Sequence, residues 1–150
     1  MKKFKFSLDS VLSYKEQVLE SLQGEHAVIM VQVREQEAVL EAAWQSYRDC
    51  DAEYSRRKAE GITITDAMVY QNGLRVLERD IQRETDKLEK LRKKEEAKRQ
   101  EVVDAKIDTS SIEKLKEKKL DLYNKEVAKS EEVLIDEFVS SARARASIGA

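Results

Sequence analysis

The sequence predicts an all-α protein, a long antiparallel two-helix coiled-coil hairpin, and three observations carry that expectation. The 150 residues hold four glycines and no proline, too few breakers for the tight turns of a sandwich, a barrel or a wound sheet. Apolar or small side chains recur at alternating steps of four and three along most of the chain, the spacing of a coiled-coil seam. One short break near Gly61 separates two such seams, so a single domain spanning 1-150 and folded once on itself accounts for the whole pattern.

The first helix is expected from about Leu8 to Ala59. Its seam reads Leu8, Leu12, Leu19, Leu22, Ile29, Val33, Leu40, Ala43, Tyr47, Cys50 and Tyr54. Ser7 stands where a side-chain oxygen can cap free N–H groups, Asp9 places an anion in the first turn, and Phe6 with Val11 has the spacing of a hydrophobic staple. Arg56, Arg57 and Lys58 put cations in the last turn, and Gly61 follows as a left-handed cap.

The turn is expected over 60–65. Ile62-Thr63-Ile64-Thr65 is β-branched throughout and reads as a linker between helices. Two threonines compete to open the next helix. Thr63 has capping-box spacing to Asp66, though with a short acid, whereas Thr65 makes Asp66 the first helical residue and staples Ile64 to Val69; the second arrangement is favoured.

The second helix is expected over about 66–145. Its seam reads Tyr70, Leu74, Leu77, Ile81, Leu88, Leu91, Val102, Ala105, Ile112, Leu115, Tyr123, Val127, Leu134 and Phe138, with phase slips after Ala105. In an antiparallel hairpin, facing residue numbers sum to about 125, so Leu8 lies near Glu117 and everything past Lys118 overhangs. A first arm roughly 75 Å long, an elongated monomer and fraying at the open end follow from that geometry.

Charge excludes more than it suggests. With 28 Lys+Arg against 30 Asp+Glu and a net charge of -2, nothing drives the chain as a whole toward nucleic acid. The strongest basic cluster, Arg92-Lys93-Lys94 with Lys98-Arg99, is opposed at helical spacing by Glu89, Glu95, Glu96 and Glu101 and reads as a solvated face. Between Leu91 and Val102 the seam carries no apolar residue, opposite Ala27 to Val31; either lysine stems cover that run or a partner does.

Catalytic chemistry finds no support. His26 is the single histidine and Cys50 the single cysteine, so no zinc set and no internal disulfide can form. His26 falls on the seam and reads as a packed polar side chain. Glu95-Glu96 and Glu131-Glu132 are carboxylate pairs on solvated helix faces, and no glycine-rich phosphate loop is present. A hairpin of helices offers a stripe where catalysis needs a pocket, so the expectation is a non-enzyme with no cofactor and no metal. Ser7, Asp9 and Ser10 interrupt the basic start before an apolar core can form, which argues against a signal peptide. The run Ala27 to Val31 is far short of the ~20 apolar residues that span a bilayer. Together with the lone cysteine, these features place the protein in the cytoplasm.

Leu120, Tyr123, Val127, Leu134 and Phe138 form a helical stripe on the expected overhang. An apolar stripe without a mate calls for one from another molecule. At this point the sequence resembles the FliJ family of the bacterial flagellar type III export apparatus. The opening Phe4-Lys5-Phe6-Ser7-Leu8-Asp9-Ser10-Val11-Leu12 is similar to the family's F-x-F-x-L-x-x-V-L. Tyr70-Gln71-Asn72 with Leu74, Leu77, Glu78 and Ile81 resembles its start of helix two. Glu113 to Lys119, followed by Ile135-Asp136-Glu137-Phe138, resembles its C-terminal signature.

The resemblance implies a hairpin similar to the central stalk of rotary ATPases. Its paired termini would insert into the hexameric flagellar export ATPase and promote assembly of that ring, with Asp136 and Glu137 joining the overhanging stripe. Its other end would reach the membrane-embedded export gate through Gly73, Leu77, Asp80 and Glu84. Such proteins also escort export chaperones and sit peripherally on the cytoplasmic face of the cell membrane at the flagellar base. Two other readings stay open, the stalk of an injectisome or rotary ATPase and a structural coiled-coil dimer.

Overall fold

The computed structural model describes residues 2–149 and folds them into α1 (Asp9–Glu60) and α2 (Ile64–Ile148). There is no strand among the described residues, and the helices pack against each other as an all-α hairpin. Partners pair as antiparallel geometry requires: the numbers sum to 125 both for Asp9 with Lys116 and for Tyr54 with Gln71. The chain forms two compact units. One is Glu20–Val103; the other joins the residues through Leu19 to those from Asp104 onward.

In the unit Glu20–Val103 the turn is shorter than the sequence suggests. Gly61 has φ +100°, in the left-handed region where side chains strain the backbone. A Cβ there would meet nothing within 4 Å, so conformation alone selects glycine. The cap is Thr63, against the expectation of Thr65: its Oγ1 accepts the Asp66 N–H at 3.2 Å, and α2 starts at Ile64. The staple moves with the cap. Ile62 and Ala67, at the matching positions, are half-buried, while Ile64 and Val69 are 82% and 65% exposed.

The seam of this unit is denser and more polar than its apolar residues alone indicate. Ile29, Tyr54, Ile81 and Leu88 are buried, and the Tyr54 and Tyr70 rings stack with centroids 5.4 Å apart. The steps of three and four also pass through Gln36 and His26 on α1 and through Glu84, Glu95 and Lys98 on α2, all half-buried. These polar residues meet. The Gln36 amide donates to the Glu84 carboxylate at 2.6 Å and to the Glu84 carbonyl at 3.0 Å. His26 Nε2 lies 2.8 Å from Glu95 Oε1, and Lys98 bridges Glu25 and Glu101 at 2.9 and 2.8 Å. The apolar gap opposite Ala27 to Val31 is thus filled by a paired polar layer. Of that run only Ile29 is buried; Val28 and Val31 remain 59% and 49% exposed.

In the other unit, Leu12 is 5% and Thr109 3% exposed. The phase slips expected after Ala105 do not occur. Ala105, Thr109, Ile112 and Lys116 keep steps of four and three, and all are buried or half-buried, whereas Leu115 sits just off the seam at 36%. Thr109 fits because its hydroxyl donates to the Ala105 carbonyl at 2.8 Å, leaving its methyl group for the core. Lys15 pairs with Asp108, and Lys116 with Asp9. The main chain closes the start of α1, Asp9 N–H donating to the Phe6 carbonyl at 3.1 Å. Val11 stays 40% exposed, so the expected staple does not form.

Before Asp9 the chain is non-helical and lies along α2 as a strap. Phe6 is 7% exposed. Phe4 sets its ring 5.6 Å from that of Tyr123, and the Tyr123 hydroxyl donates to the Lys2 carbonyl at 2.5 Å. Pairing therefore continues past Lys118, where the overhang was expected to begin.

Candidate docking surfaces

Two exposed apolar surfaces stand out, one in each unit. The first lies on the last turns of α2. Leu134, Ile135, Phe138 and Val139 are 64%, 63%, 75% and 42% exposed, and every described residue beyond Val127 is exposed. Leu134 and Phe138 are one helical turn apart and line a shallow groove with Glu137, Ser141, Ala142 and Arg145. Of the stripe expected from sequence, Leu134 and Phe138 are free, as is the charged pair Asp136 and Glu137. Leu120 is 38% exposed and Val127 half-buried. Tyr123 is covered by the strap. Ile135 and Val139 join the exposed surface as a second i, i+4 pair; being apolar off the seam spacing was their signal in the sequence.

The second surface lies near the turn. Ile64, Met68, Val69 and Val76 are 82%, 56%, 65% and 54% exposed. Trp44 on α1 is 42% exposed and meets Tyr47 edge-on, with centroids 6.0 Å apart. Partial burial, then the charges of Glu78 and Asp51, push the Tyr47 phenol above its ordinary value. The residues picked out for a gate contact share one flank of α2 but not one environment. Gly73 is half-buried, with Cys50 Sγ 3.9 Å from where its Cβ would sit, and Leu77 is half-buried. Asp80 pairs with Arg83 at 2.9 Å. Glu84 is committed to the seam. Its side chain is 13% exposed, and the Gln36 amide holds its carboxyl below the ordinary glutamate value, burial opposing and Lys87 assisting.

Both surfaces are apolar side chains exposed on helix faces. Among the described residues no group of three or more His, Cys, Asp or Glu could hold a metal ion, and no helix is long and apolar enough to cross a membrane. His26 is engaged with Glu95 inside the seam. The family model described as "Flagellar FliJ protein" matches residues 4–147. No curated protein and no solved structure matches the chain.

Proposed function

Since the chain belongs to the FliJ family, whose members are components of flagellar protein export, we propose that it is the non-enzymatic stalk that docks in the export ATPase ring through the end of α2. The exposed stripe of Leu134, Ile135, Phe138 and Val139 carries this reading. α1 supplies no mate for it, and burying one such side chain is worth roughly 1.5 to 3 kcal/mol, so a socket that encloses the helix has the driving force to hold it. Ending the chain after Lys129 should leave the remaining helices formed by circular dichroism and abolish stimulation of the cognate ATPase. Full stimulation by the shortened protein would refute the stalk reading.

The surface near the turn supports a second contact, with the export gate. Met68, Val69 and Val76 offer apolar area there, and Asp80 a charge on the bordering flank. Met68→Ser with Asp80→Lys should weaken gate binding while ATPase stimulation and melting temperature hold. Escort of export chaperones and a peripheral position on the cytoplasmic face of the membrane complete the reading.

A further inference from the structure

The strap alternates. Phe4 and Phe6 turn toward α2, half-buried and buried, while Lys2, Lys3 and Lys5 are exposed. None of these three lysines forms an ion pair among the described residues, in contrast to most cations of the unit Glu20–Val103, including Arg48, Arg56, Arg83, Arg92 and Arg99. The stretch of α2 beneath the strap is also basic, with six lysines against three acids over 114–129. Lys114, Lys118, Lys125 and Lys129 fall at i, i+4, i+11 and i+15, which is one helix face. The seam position Lys116 and the strap-covered Tyr123 lie on the other side of the helix. Cations therefore flank α2 on both sides at the level where α1 gives way to the strap. Beyond them the sign reverses, with Glu131, Glu132, Asp136 and Glu137 beside the exposed apolar stripe.

We infer that this level is a cationic collar that meets an acidic protein rim at the mouth of the socket receiving the end of α2. The inference rests on the docking reading above and adds the chemistry of the partner's mouth. A protein rim fits better than a lipid surface or nucleic acid, because a rim confines its negative charge to the level of the collar, whereas an extended anionic surface would also face Glu131, Glu132, Asp136 and Glu137. Fixed charge around an entering helix acts mainly on encounter: it steers the approach and is screened by salt.

The test compares three variants with the wild type by stopped-flow association with the purified export ATPase, from low to physiological salt. They are Lys2→Glu/Lys3→Glu/Lys5→Glu in the strap, Lys114→Glu/Lys118→Glu/Lys125→Glu on α2, and Leu134→Ala/Phe138→Ala in the stripe. All three should keep wild-type helicity. Each charge variant should associate about tenfold or more slowly at low salt, with the difference shrinking as salt rises and little change in dissociation. The stripe variant should dissociate faster at every salt concentration. If the stripe variant alone is impaired, the collar is overturned and the docking reading stands. If all three bind as the wild type does, the docking reading falls too. Loss of binding to phosphatidylglycerol vesicles by the charge variants, with ATPase association intact, would assign the collar to the membrane instead.

Discussion

Two glycines show how a residue's value depends on its backbone. Gly61 stands at φ +100° in open space, so Gly61→Ala adds no clash and still forces an L-residue into a left-handed conformation, at about 1 to 2 kcal/mol. Gly24 lies inside α1 with nothing within 4 Å of a Cβ, so Gly24→Ala should stabilise by about 0.8 to 1 kcal/mol through helix propensity. Opposite shifts in thermal midpoint are the expected pair of results. Glu84 gives a pH prediction. Its carboxyl is held below the ordinary 4.5 chiefly by the Gln36 amide, so its folded pKa lies under its unfolded one. Its contribution to stability is complete above the unfolded value and disappears as pH falls through the folded one. Carbon-detected NMR titration of Gln36→Leu should show the Glu84 pKa rising and acid unfolding beginning at higher pH. An unchanged Glu84 titration would mean that the hydrogen bond does not set it.

At the scale of elements, the strap changes how the open end behaves. Phe4→Ala with Tyr123→Phe removes the ring contact and the hydrogen bond to Lys2. Amide exchange should then quicken across residues 116–123 and stay as in the wild type around Ile81 and Leu88. Exchange unchanged from the wild type across residues 116–123 would show the strap to be dispensable. The strap is also where sequence reading reaches its limit. The hairpin, the seam through Tyr54 and Leu88, and the exposed pair Leu134 and Phe138 follow from apolar spacing, since water exclusion acts on apolar side chains. Thr109, Gln36, Glu84 and Lys116 occupy seam positions by virtue of partners that a hydrophobic pattern does not display, so their positions read as gaps or slips. Thr63 and Thr65 stand two residues apart and each has the spacing of a cap, so the pattern does not choose between them. Phe4 and Phe6 read as the prelude to a cap because packing of a non-helical segment has no period to detect.

For the whole molecule, the polar seam pairs bear on specificity more than on stability. Apolar seams tolerate many registers and partners, whereas a half-buried polar group is satisfied only opposite its own mate. Replacing His26 and Glu95 together by leucine should raise the melting temperature, while sedimentation equilibrium shows dimers alongside the monomer. A more stable variant that stays wholly monomeric would show that the pair does not discriminate. The three residues Gly61 to Thr63 that join the helices have a different consequence, for the order in which the chain is assembled. The Tyr54–Gln71 bond closes a separation of 17 residues, Gln36–Glu84 one of 48, His26–Glu95 one of 69 and Lys2–Tyr123 one of 121. Each is nested inside the next, so every contact formed shortens the loop that the following one must close. Nesting of this kind predicts that the hairpin zips from its bend outward and that the strap seats last. Because α1 (Asp9–Glu60) precedes α2 (Ile64–Ile148) in the chain, it leaves the ribosome before the helix that buries its seam, and the exposed residues Leu134 to Val139 follow later still.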